Sequence, residues 1–193
     1  MIRVGPGVVL LLFWLAWALP SFAQVLEKTH SFEGPPPPPE ELMQAADGAF
    51  YGTTSSGGPF HAGTLFKMNS MGPVNRLAAF NGTNGVQPNS RLIQDLDGNF
   101  YGTTYTGGSN NLGTVFRMTP AKVLSALHTF SAGHGAHPTG LFLQASDGSF
   151  YGVTADGCGD TNAPAIFKLT KAGDFTIVAI MDPEGQGAPT SLS

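Results

Sequence analysis

The chain has 193 residues, enough for one ordinary domain or one stack of small cores and short for two domains. Charged residues make up only 11% while glycine reaches 26, a composition of short strands and tight turns rather than helices. The formal charge of −4 leaves no basic face to neutralise phosphates, which excludes nucleic acid as a partner.

Residues 1–23 have the three parts of a secretory signal. Arg3 is the only charge before Glu27, Val8 to Leu19 is unbroken apolar sequence, and Ser21-Phe22-Ala23 supplies the small residues of a cleavage site after Ala23. The 12-residue run, bounded by Gly7 and Pro20, falls short of the roughly 20 residues that cross a bilayer. The expectation is a secreted, periplasmic or cell-surface protein, free of the membrane after cleavage. Residues 24–39 follow, with one strand-like segment, Thr29-His30-Ser31-Phe32, and the run Pro35 to Pro39, which reads as a stiff polyproline II spacer.

From there the chain repeats itself. Asp47-Gly48-Ala49-Phe50-Tyr51-Gly52-Thr53-Thr54 returns as Asp97-Gly98-Asn99-Phe100-Tyr101-Gly102-Thr103-Thr104 and as Asp147-Gly148-Ser149-Phe150-Tyr151-Gly152-Val153-Thr154, a period of 50 residues. Leu42-Met43-Gln44, Leu92-Ile93-Gln94 and Phe142-Leu143-Gln144 keep the same register, as do Gly63 to Met68 and Gly113 to Met118. The units span 40–88, 89–138 and 139–193. Each predicts four short strands: one ending at Asp-Gly, which suits a two-residue hairpin turn; the Phe-Tyr-Gly strand; then, after a Gly- and Ser-rich loop, counterparts of Thr64 to Met68 and Val74 to Phe80. Asn81 to Pro88 reads as the connector to the next unit. Adjacent Phe and Tyr place large rings on both faces of one strand, which requires sheets stacked face to face. The fold expected is all-β, a propeller-like array of three four-stranded blades, incomplete or open.

The pattern L-[IM]-Q-x-x-D-G-x-F-Y-G-T-T-x-x-G-G followed by G-T-[LV]-F-[KR]-M resembles the GloVer tandem repeat of the "choice-of-anchor" bacterial surface proteins over nearly all of the mature chain. The resemblance implies an exported β-propeller protein and carries no catalytic or binding residues with it. The chain departs from the family in its few repeats and in having no visible anchor.

Candidate side chains are weighed one by one. Asp47, Asp97 and Asp147 each precede a turn glycine, so hairpin chemistry accounts for them. Asp95 to Asn99 has the look of a calcium loop but lacks the closing glutamate. His134 and His137 would need two further ligands to hold zinc. Tyr51, Tyr101 and Tyr151 could be a stacking platform for sugars, but their place on a doubly packed strand makes them core. Cys158 can form no intramolecular disulfide, and Asp156 and Asp160 beside it disfavour a thiolate. Asn81-Gly82-Thr83 matches a glycosylation acceptor, a match that means little in a protein of bacterial origin, which is what the resemblance implies.

No unit gains a clustered acid, base or nucleophile, so no catalytic, cofactor-binding or metal residue is assigned. The expectation is a non-enzymatic exported array with a binding or structural role towards an extracellular ligand or protein. The alternatives are a propeller-type glycan-acting enzyme, marked by Asp156 and Asp160 beside His134 or His137 in a water-excluding pocket, and a truncated remnant of a longer repeat protein. Three blades leave a blade face unpaired, which predicts self-association as a homo-oligomer.

Overall fold

Alternation along an extended segment sends Phe50 and Tyr51 to opposite faces, and the architecture follows from burying both. The computed structural model describes residues 41–70, 72–158 and 162–181. The leader, the proline run, Asp160 and the C-terminal residues lie outside them. The first blade consists of β1 (Leu42–Gln44), β2 (Phe50–Thr54), β3 (Thr64–Met68) and β4 (Asn75–Ala79), antiparallel in that order. In the second, β5 (Val86–Pro88) and β6 (Ile93–Gln94) both pair with β7 (Phe100–Thr106), followed by β8 (Thr114–Met118) and β9 (Leu124–Thr129). The third is β10 (His134–Gln144), β11 (Phe150–Cys158), β12 (Ala163–Leu169) and β13 (Phe175–Ile180). The result is an all-β, propeller-like array of three open sheets.

Two local expectations change. The segment before each Pro-Asn or Pro-Thr is more than a connector: Val86 and Pro88 pair with Thr106 and Thr104, and β10 runs unbroken across the boundary between 138 and 139. The Asp-Gly turns are three-residue loops rather than the two-residue form. Of Asp47 and Gly48 only the glycine has positive φ, at 77°; the Gly48 amide donates to the Ala45 carbonyl at 2.9 Å, and the Ala45 amide donates to the Ala49 carbonyl at 2.9 Å. That is a type I turn closed by a left-handed glycine. Asp47 Oδ1 accepts the Ala49 amide at 3.0 Å, and Asp97 and Asp147 accept the amides of Asn99 and Ser149 at 2.9 Å.

The blades interlock by a repeated set of contacts. Tyr51 stacks on Phe100 and Tyr101 on Phe150, each at 4.4 Å between ring centroids, so the Tyr of one blade meets the Phe of the next. Behind each Phe-Tyr pair, the aromatic ring of the third strand lies across the strand glycine: a Cβ on Gly52, Gly102 or Gly152 would stand 2.7, 2.6 or 2.4 Å from Cζ of Phe66, Phe116 or Phe167. The amides of Gln87 and His137 donate to the carbonyls of Ala62 and Leu112 in the preceding blade, both at 2.9 Å. The repeated glutamine adds a staple. Gln94 Oε1 accepts the Ala46 amide at 2.8 Å, and Gln144 Nε2 donates to Asp95 Oδ1 at 3.0 Å.

One junction is sensitive to acid. His128 of β9 stacks flat on Phe175 of β13 at 4.0 Å and meets Phe130 edge-on at 5.2 Å. Burial, with a smaller contribution from the charge of His134, pushes its imidazole down from 6.5 to about 4. The unfolded chain therefore binds the proton more readily between those values, so stability is full above pH 6.5 and is lost as pH falls through about 4. Allowing for solvent screening at its exposed edge, the loss is on the order of 2 kcal/mol. Thermal melts from pH 7 to pH 4 are expected to show it, and His128→Phe to flatten that part of the profile; an unchanged slope in the variant would place the acid sensitivity elsewhere.

Candidate functional site at the rim of the second and third blades

At the end of the sheets where second strands run out and first strands enter, the units stop being alike. The first blade has Ser55-Ser56 there, the second Tyr105-Thr106 and the third Ala155-Asp156, with Gln87 and His137 at equivalent positions on the entering strands. The strands are held at this end by Thr54, Thr104 and Thr154, whose Oγ1 atoms each accept the amide of Thr64, Thr114 or Ala165 at 3.1 Å. On that common frame His137 Nδ1 donates to Asp156 Oδ1 at 2.9 Å, and the Tyr105 ring stacks on the imidazole at 4.8 Å between centroids. Tyr105 is 42% exposed, so solvent reaches the cluster. A carboxylate on Nδ1 fixes the ring's tautomer and orientation and leaves Nε2 to accept a proton or hydrogen bond from a ligand.

Asp156 thus does lie beside His137, while the rim is open rather than water-excluding. His134 is not part of the cluster: its Nδ1 lies 3.2 Å from Ser131 Oγ, and its ring faces Phe175. Tyr105 passed unremarked in the sequence, although its departure from Ser55 and Ala155 was a signal available there.

The remaining candidates are engaged in holding the fold. Asp47 Oδ2 accepts from Lys67 Nζ at 2.7 Å and Tyr51 Oη at 3.0 Å, and Lys67 foremost, with the Ala49 amide, lowers its carboxyl pKa. Asp147 accepts from Lys168 at 3.0 Å, and the Ser149 amide and then Lys168 lower it likewise. Asp95 is buried at the blade junction. Burial, the largest influence, raises its pKa, but Lys171, Gln144 and the Leu96 amide together outweigh it and lower the value. Tyr51 and Tyr101 are buried in the stack, and Tyr151 is half-buried. Cys158 is buried with its thiol donating to the Gly133 carbonyl, and burial raises its pKa. Among the described residues, no three His, Cys, Asp or Glu side chains converge as metal ligands do. Between the first two blades the same rim carries an open groove of about 550 Å³, lined by Asn81, Gly82, Gly107, Asn111 and Thr129 among others.

Three stacked antiparallel sheets, joined by the same contacts at each junction, define a propeller-type repeat protein. The model of the Gloeobacter/Verrucomicrobia repeat matches residues 18–192, and the chain belongs to that family. No curated protein sequence matches it. Among solved structures it is similar to a gluconolactonase from Xanthomonas campestris, described as important in glucose secondary metabolic pathways, with a TM-score of 0.54 and 16% identity over 80% of this chain and 50% of that one. It is also similar to a structural-genomics target, a candidate gluconolactonase, with a TM-score of 0.49 and 16% identity over 74% of this chain and 50% of that one. The chain spans half the length of each. The second of these carries no weight, but the first corrects one expectation. The uniformity of the units does not mark a non-enzyme, since a solved protein that shares the architecture is named as a gluconolactonase.

Proposed function

We propose that the chain is an exported propeller-type array that recognises a neutral, hydroxyl-rich ligand such as a saccharide at the Tyr105, His137 and Asp156 rim. The observation that carries the reading is the His137–Asp156 hydrogen bond under the Tyr105 ring, at positions where the sister blades manage with serine, threonine, alanine and glutamine. An exposed ring offers its face to sugar C–H groups, and an oriented imidazole and a carboxylate offer an acceptor and a second polar contact to hydroxyls. The net negative charge of the chain and Asp156 itself disfavour an anionic ligand.

Sister blades supply the test variants. Gln87 occupies the position of His137 and has the same left-handed backbone, φ 56° against 52°, so His137→Gln is tolerated by the fold. In titration calorimetry against a panel of neutral oligosaccharides, His137→Gln and Tyr105→Ser are each expected to weaken a binder at least tenfold, which corresponds to about 1.4 kcal/mol. A panel without a binder, or variants that bind as the parent does, would contradict the assignment.

A second reading is favoured by the first gluconolactonase neighbour. His137 Nε2 would take a proton from water as it adds to a lactone carbonyl, and the ring oxygen would leave and regain that proton, giving the hydroxy acid. Proton release from D-glucono-1,5-lactone above the uncatalysed rate, lost in His137→Gln, would support it; no excess rate would remove it. Export has its own check. The chain recovered outside the cytoplasm is expected to begin at Gln24, and a chain retaining residues 1–23 would contradict cleavage.

A further inference from the structure

Each junction is made from two unlike faces, and the two ends of the array carry one of each. The leading face of a blade presents the residues that alternate with its Phe: Leu92, Phe100, Phe116 and Met118 in the second blade, Phe142, Phe150, Phe167 and Leu169 in the third. The trailing face presents those that alternate with its Tyr: Met43, Tyr51 and Leu65, then Ile93, Tyr101 and Val115. Where a trailing face meets a leading face these residues are buried, except Ile93 and Phe142, which are half-buried.

At the ends several equivalent residues are more exposed, although Phe66 on the first blade's leading face is buried as Phe116 and Phe167 are. On the leading face of the first blade Leu42 is 45% exposed where Leu92 is 2%, and Phe50 and Met68 are half-buried where Phe100 and Met118 are buried. On the trailing face of the third blade Leu143 is 56% exposed where Met43 is 7%, and Tyr151, Val153 and Ile166 are half-buried. Val153 stands where the inner trailing faces have Thr53 and Thr103, so the third blade's trailing face is more apolar than theirs.

We infer that the trailing face of the third blade receives the leading face of the first blade of a second copy of this chain, and that two copies close head to tail into a ring of six blades. Tyr151 would stack on the partner copy's Phe50 as Tyr51 does on Phe100. The interface is a continuation of the two junctions already present, so no new kind of contact is required. Extent points the same way. The similar gluconolactonase is matched over only half its length, leaving a remainder as large as the matched part, which a second set of three blades would fill. The inference is independent of the ligand proposed for the rim.

The test is the solution mass of the chain from Gln24 onward, by light scattering after size exclusion over a hundredfold range of concentration. A discrete species of twice the chain mass is expected. Monomer throughout, or open polymers that lengthen with concentration, would overturn the inference. Leu143→Asp and Leu42→Asp replace side chains already exposed in the single chain, on opposite end faces, and circular dichroism of each should match the parent. Either substitution alone is expected to give monomer; if only one does, like faces are packing together and the head-to-tail ring is wrong.

Discussion

Gly102→Ala is expected to cost about 3 kcal/mol, at the upper end of what overpacking a core does. The backbone raises no objection, since Gly102 lies in extended β7 outside the left-handed region. The objection is the neighbouring ring. An added Cβ would meet Phe116 Cζ at 2.6 Å, Phe116 Cε1 at 2.9 Å and Ser90 Oγ at 3.0 Å. Phe116 cannot retreat, because it is fully buried and braced edge-on by Phe80 at 5.0 Å. Phe116→Leu removes the ring edge, so the double variant should be more stable than the sum of the single losses by about 1 kcal/mol or more. Gly72→Ala is the control: its nearest neighbour, the Asn69 side chain, is at an ordinary 3.4 Å, and the change is expected to stay within about 0.5 kcal/mol. Urea denaturation of the parent and the four variants decides. Equal losses at the two glycines would refute the account of the Phe-Tyr-Gly strand.

Phe150→Ala should be the most damaging single truncation at a blade junction, with a loss of about 3–5 kcal/mol. Its ring is fully buried between Tyr101, 4.4 Å away across the junction, and Phe142 at 5.4 Å within its own blade. Truncation leaves a cavity between blades that their backbones, pinned by the His137 amide and the Gln144 side chain, cannot collapse to fill. The same substitution at Phe50 should cost less than half as much in the single chain, because Phe50 is only half-buried. Comparing the two variants by denaturation tests the rule that a Phe is buried by the preceding blade's Tyr. Equal costs would show that the rings are buried within their own sheets.

The repeated residues were legible because folding needs them in every copy. Phe-Tyr announced two buried faces, Asp-Gly announced a hairpin, and a constant period announced stacked units; the structure contains all three. What escaped notice were contacts whose partners lie about one repeat away. Nothing local in Leu-x-Gln says that Gln94 will reach Ala46, 48 residues earlier, or that Gln144 will reach Asp95. The strand glycines were read as part of a motif without a cause, since the ring that excludes a side chain sits on the next strand. The turn type was missed because Asp-Gly suits both hairpin forms, and the choice between them depends on Ala45, Asp95 and the strand register around them. The rim cluster was half visible. Asp156 beside His137 was considered, but Tyr105 comes from another blade and stood out only as an exception to the repeat.

The central claim is that fifty-residue units stack as blades with the Tyr of each on the Phe of the next. Selective aromatic labelling and nuclear Overhauser measurements test it most directly. Strong cross-peaks are expected between the rings of Tyr51 and Phe100 and between those of Tyr101 and Phe150, pairs 49 residues apart in sequence and 4.4 Å apart in space. Tyrosine rings that show contacts only within their own unit would contradict the stack.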